Sequence, residues 1–217
     1  MGIIDDIEDI CSDNILTTDK LLQIMPKCPT DQADSYVANM NSCFAAAQIN
    51  TKLRVAAFLS QAAVETNELQ SFVENLNYSA QLLMKIWPHR FPTLDIANQY
   101  AHHPQKIANS VYSNRLGNGS PESNEGWAYR GRGILQITGK DNYADASQVS
   151  GIDLVADPDK AADPQYMFAI AVDYWTKNQI NALADQDDIK AVSEAVNGGD
   201  TGLADRMRYY NLAKSVL

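Results

Sequence analysis

The sequence predicts a mainly α-helical protein with one small β element. Three observations carry that expectation. Apolar or small residues recur at helical spacing along two long runs, Ala33, Tyr36, Val37, Met40, Phe44 and Ala47, then Leu53, Ala57, Ser60 and Val64. That spacing lines one face of a helix. Helix start and stop signals punctuate the chain, among them Asp163-Pro164 and Asn197-Gly198-Gly199. Only residues 132–138 permit a short strand or hairpin, too brief to build a sheet protein.

Taken in order, a variable lead-in runs to about residue 19. A short helix follows Thr18 through Leu21, Leu22 and Ile24, and Pro26 stops it. Thr30 is placed to cap the second helix, and Asn50-Thr51 to break it and cap the third. On the third helix Phe58, Gln61, Ala62 and Glu65 make a stripe beside the Leu53 stripe. A further short helix is expected within residues 77–87, after which Pro88, Pro92 and Pro104 interrupt the chain. Residues 113–125 read as an exposed loop, being rich in Ser, Asn and Gly. Asp163 caps a helix with Pro164 in its first position, and the apolar run 167–175 buries it. Asp187 caps the next, and a last helix covers residues 203–216.

The 217 residues, 45% of them hydrophobic, suffice for a single domain, 1–217, with a substantial core. No apolar run approaches the roughly 20 residues that span a bilayer, so no stable membrane insertion is expected. A net charge of −10 argues against a nucleic-acid partner, and it offers no help in approaching an anionic cell envelope. Cys11, Cys28 and Cys43 are odd in number and lack zinc-site spacing, so they read as small buried or partly exposed thiols. The start MGIIDDIEDICSDN has neither the basic start nor the apolar core of a signal peptide. Synthesis in the cytoplasm is expected, with separate delivery for any action outside.

Glu65 and Glu74 stand nine residues apart in unlike surroundings. Glu65 ends an apolar helical stripe, where desolvation and the negative helix end favour the protonated form a general acid needs. Glu74 lies among Asn75 and Asn77, whose amides can orient a water beside an ionised base. Two carboxyls in contrasting environments are what acid–base cleavage of a sugar linkage requires. Glu68, three residues after Glu65, reads as a rim or surface residue. Downstream, in YRGRGILQITGKDNY, Gly131 and Gly133 let backbone approach a ligand, and Arg130 and Arg132 can pair with carboxylates. On a strand Gln136 and Thr138 would face one side, to bind sugar hydroxyls or a water, or else sit in a buried turn. Trp127, Tyr129 and Tyr143 offer rings that stack on pyranose faces or fill the core. His89, His102 and His103 show no i, i+4 or HExxH spacing, so no metal or other cofactor is expected, and no G-x-S-x-G motif supports serine catalysis.

Five blocks together resemble glycoside hydrolase family 19, the chitinases and related phage endolysins. They are AFLSQAAVETNEL, VENLNYSA, YRGRGILQITGKDNY, ADPQYMFAIAVDYW and VNGGDTGLADRMRYY. The resemblance implies a lysozyme-like fold of two helical lobes around a central cleft. It implies an inverting mechanism with Glu65 as acid, Glu74 as base and Thr138 holding the attacking water. Gln136, Asn142 and Asn197 fall where the family binds sugar or supports the site, and Arg206 matches the arginine that organises charge around the acid. Val64 replaces the usual His before the acid, and Asp200-Thr201 stands where the family often has a glutamate. The substrate expected is peptidoglycan, cleaved by a monomer that reaches the wall through a holin or a secretion apparatus. Chitin is the alternative.

Overall fold

The computed structural model describes residues 15–217; Cys11 and the lead-in through residue 14 lie outside the described residues. The fold is mainly helical, as the periodicity predicts, with twelve α-helices among the described residues. One hydrophobic cluster gathers α1 (Thr18–Ile24), α2 (Ala33–Ala46) and α3 (Lys52–Glu65) with α9 (Pro164–Lys177), α10 (Ile180–Asp185), α11 (Ile189–Asn197) and α12 (Leu203–Val216). A second joins α4 (Ala80–Ile86), α5 (Leu94–Asn98) and α6 (Pro104–Val111), with Trp127 of α7 (Glu125–Ala128) packed against it. A third forms where α8 (Lys140–Ser150) meets α9 around Tyr129, Tyr143 and Leu154.

The caps explain several boundaries. The side chains of Thr17, Thr51, Ser79, Thr93, Asp163 and Asp188 each accept a hydrogen bond from a first-turn amide. Each is worth about 1 kcal/mol. Two expected caps move. The residue before α2 is Gln32, because Thr30 lies in the preceding turn. Asp188 caps α11, while Asp187 accepts from Tyr210 Oη and Lys214 Nζ.

Helix α3 is the spine of the large cluster. Residues 55–63 are all buried, since α10, α11 and α12 pack on it and Phe58 meets Phe44 and Trp175. The β element is smaller than a strand. Arg132 forms single antiparallel bridges to Val73 and to Ile137. Gly133 N–H donates to Phe72 O and Glu74 N–H to Gly131 O, at 2.8 and 3.0 Å. Gln136 therefore does not alternate with Thr138 along a strand. It sits in the turn between Arg132 and Ile137 with φ 52°.

Beyond α3 the chain turns through three left-handed residues, Asn67, Glu68 and Leu69. Each costs a non-glycine residue roughly 1–2 kcal/mol. What holds them corrects the expectation for Glu68, which is buried (4% exposed). Its carboxylate accepts from Lys27 N–H (2.8 Å) and Tyr209 Oη (2.6 Å), with Lys27 Nζ at 3.5 Å. The helical i, i+3 relation fails here because the chain has already left the helix. Burial alone would push this carboxyl up; the bonds from Tyr209 and the Lys27 amide, with the Lys27 charge, hold it below its usual 4.5. A depressed folded value means stability that is complete above the unfolded value and lost as pH falls through the folded one. Glu68→Gln places an amide donor against donors. It is expected to cost roughly 1–3 kcal/mol near neutrality. The deficit should shrink under acid, as urea melts at both pH values would register.

Candidate active site

Glu65 is the last residue of α3, and its side chain is 20% exposed. Arg206, on α12 and 3% exposed, pairs with Glu65 Oε1 and also donates to Gln61 Oε1. Its Nε donates to Thr201 O at 3.3 Å. The apolar setting expected for Glu65 is thus replaced by a charged and amide-lined one. Gln61 belongs to the supposedly apolar stripe, but it turns its oxygen to the arginine. At the position where the family often has a glutamate, the backbone oxygen of Thr201 meets Arg206 instead. The same oxygen accepts from Asn197 Nδ2 at 3.1 Å, so Asn197 fixes the loop between α11 and α12. Val64 stands beside that loop, its Cγ1 3.4 Å from where a Cβ on Gly202 would lie.

Glu74 is held at both oxygens. Gly131 N–H donates to Oε1 at 2.7 Å and Tyr112 Oη to Oε2 at 2.8 Å. Each oxygen keeps a lone pair for a further donor such as water. Tyr112 caps the C-terminal end of α6 and packs against the second cluster, so one bond ties the carboxylate to that lobe. Burial first, then the Glu74 charge and the bond to it, push the Tyr112 phenol far above its usual value. It stays a donor at every working pH. Nothing in the sequence marks Tyr112 as a partner of the base. It lies 38 residues from Glu74, and no local pattern links the two.

Gly131 is where the expected residues converge. A Cβ there would lie 2.6 Å from Gln136 Oε1 and 3.3 Å from both Glu74 Cδ and Thr138 Oγ1. The close approach predicted for this glycine is therefore real, and its neighbours are the protein's own polar groups. Thr138 Oγ1 donates to Gln136 O (3.1 Å), and Asn142 Nδ2 donates to Thr138 O (2.7 Å). Gln136, Thr138 and Asn142 also line a groove of about 320 Å³ with Asp145, Asp173 and Lys177. Gly131→Ala is expected to leave the fold in place, because a Gln136 side-chain end can move. The methyl would fill the space shared by Glu74 and Thr138. Turnover should fall at least about tenfold, with the thermal midpoint nearly unchanged in a melt run alongside the rate assay.

The aromatic residues divide. Tyr129 is 7% exposed and Tyr143 fully buried; their rings pack together 5.4 Å apart in the third cluster. Tyr129 Oη donates to Val155 O and Tyr143 Oη to Arg130 O. Neither ring has a free face for a sugar, which corrects the stacking expectation for Tyr129. Burial pushes the Tyr143 phenol up to about 12 against the nearby Arg132 and Arg130 charges, which lower it. Trp127 is half-buried, with the Arg130 guanidinium 3.8 Å from its ring centroid. Arg132 is buried and pairs with Asp159 at 2.6 Å, anchoring the bridge segment. Cys28 is buried and Cys43 half-buried, as expected of small thiols, and burial and nearby carboxylates push the Cys28 thiol up to about 11.

Residues 26–202 match the family described as class I chitinase, glycoside hydrolase family 19. A glycosyl hydrolase family 19 domain-containing protein of Haemophilus influenzae is 40% identical over 73% of this chain and 78% of its own length. Chitinase 6 of rice is 37% identical over 39% of this chain, which spans 34% of that protein. Chitinase C of Streptomyces griseus shares the fold at TM-score 0.62 and 18% identity, over 94% of this chain and 92% of the other. The class IV chitinase of Zea mays does so at 0.60 and 20%, over 93% and 92%. Fold and sequence thus define a glycosidase with a lysozyme-like helical architecture. The chain belongs to glycoside hydrolase family 19.

Proposed function

We propose that this protein hydrolyses the β-1,4 linkages of peptidoglycan with inversion. Glu65 donates a proton to the glycosidic oxygen. Glu74 takes a proton from a water that Thr138 helps to hold, and that water attacks the anomeric carbon from the opposite face. Arg206 fixes the acid, while Tyr112 and the Gly131 amide fix the base. The observation that carries the reading is the convergence of Glu74, Thr138 and Gln136 around Gly131, which sets three polar side chains side by side at the base. The groove beside Thr138 supports peptidoglycan as the substrate. Its Asp145 and the Asp173–Lys177 ion pair (2.7 Å) put charged groups along the groove, which suits a glycan that bears charged peptide stems, and chitin has none. Access to the wall would come through a holin-made lesion or a secretion apparatus.

A second reading, chitinase activity, is favoured by the names of the rice relatives and of the structural neighbours. Purified peptidoglycan and colloidal chitin, digested side by side, separate the two. New reducing ends and fragments of muropeptide mass are expected from the first. Release from chitin alone would replace the peptidoglycan reading.

A further inference from the structure

Charge is unevenly distributed along this chain. Between Glu74 and Glu122 the one acidic residue is Asp95, against Lys85, Arg90, Lys106 and Arg115. All three histidines, His89, His102 and His103, fall in the same stretch. It carries +3 within a chain of −10, which leaves −13 for the remainder. The four basic residues and the three histidines are all exposed.

The same stretch holds most of the exposed apolar side chains. Of the seven large hydrophobic residues exposed among the described residues, five belong to it: Leu82, Ile86, Leu94, Ile96 and Leu116. Leu82 and Ile86 stand one turn apart on α4 and share an exposed face beside Lys85, while Ala80 and Leu83 are buried. Leu94 and Ile96 lie on α5, which packs on α4, and Arg90 lies in the connection. The α4–α5 hairpin therefore exposes Leu82 and Ile86 together on α4, Leu94 and Ile96 on different sides of α5, and Lys85 and Arg90 against the single carboxylate Asp95, and nothing in the proposed chemistry uses them.

We propose that the α4–α5 hairpin is a docking face for an anionic phospholipid bilayer, with Leu82 and Ile86 entering the headgroup region and Lys85 and Arg90 meeting lipid phosphates. A soluble sugar-phosphate polymer would satisfy the cations and leave the apolar tips in water. A bilayer surface accommodates both. No helix among the described residues is long and apolar enough to cross a membrane, so the hairpin would rest on the surface. The −13 on the rest of the chain is repelled by the same lipids and turns this lobe toward them. On this proposal the +3 of residues 75–121, and not the net charge of −10, governs the approach to an anionic surface.

The test is co-sedimentation with vesicles, which does not depend on the substrate reading. The full chain should bind vesicles of equal parts phosphatidylglycerol and phosphatidylcholine, weaken with salt, and ignore pure phosphatidylcholine. Each cation near an anionic surface contributes about fivefold, so Lys85→Glu with Arg90→Glu should weaken binding by about 25-fold or more. Leu82→Ser with Ile86→Ser should cost about tenfold, because the apolar contribution is lost. Both pairs are exposed, and an unchanged thermal midpoint would confirm that the variants fold. Equal binding to both lipid mixtures would overturn the proposal. So would charge-reversed protein that binds as wild type, or a soluble polyphosphate that binds as tightly as vesicles and is indifferent to the Leu82 and Ile86 changes.

Discussion

Glu65→Gln is expected to lower turnover on glycan by about 10²–10⁴-fold while substrate binding persists. An amide cannot deliver a proton to the departing oxygen. The choice of glutamine matters because Arg206 is buried and uses Glu65 Oε1 as an acceptor. Glutamine keeps an acceptor at that place, and Gln61 and Thr201 O retain their bonds to the same guanidinium. Alanine would instead strand a buried charge, at about 3–5 kcal/mol, and confuse folding with chemistry. Three measurements on one preparation decide the point: reducing-end release, affinity for the undigested glycan, and a thermal melt. A variant that folds, binds and turns over within about threefold of wild type would remove Glu65 from the role of acid.

Parts of this fold and site were legible for identifiable physical reasons. The Asp163-Pro164 start, the Thr51 cap and the stop at Pro26 each use a local bond or a local clash, so they read directly from neighbouring residues. Helices α5, α7 and α10 span four to six residues, too few for a periodic pattern, and the apolar face of α6, Ile107, Ala108 and Val111, covers barely one turn. Helix α8 is longer but buries only Tyr143 and Ala146, so its apolar stripe is faint. At the site, Gly131 was legible because a glycine among polar groups signals close approach. Tyr112 and the clasp on Glu68 were not, since each bond joins residues 38 or more positions apart. The polar surroundings of Glu65 were hidden for the same reason. Its stripe was read from one helix, while Arg206 arrives from another, 141 residues on.

Glu74→Gln should abolish most of the turnover by the opposite route, again by about 10²–10⁴-fold, because the water loses its proton acceptor. The fold should survive. The amide oxygen can accept from Gly131 N–H as Oε1 does now, and the Tyr112 hydroxyl can rotate to accept from the new NH₂. The Tyr112 phenol supplies a second readout that does not depend on catalysis. Burial keeps it largely un-ionised, and the Glu74 charge and hydrogen bond add to that. Removing the carboxylate takes away the last two contributions and leaves burial with the smaller effects of Tyr78 and Arg115, so Tyr112 should ionise at lower pH in the variant. An alkaline ultraviolet titration, differenced against Tyr112→Phe, isolates this phenol from the other tyrosines. An inactive variant whose Tyr112 titration has moved down would place the lost charge against that hydroxyl. A variant that keeps near-normal turnover, or one whose Tyr112 titration does not move, would mean that Glu74 is not the clamped base.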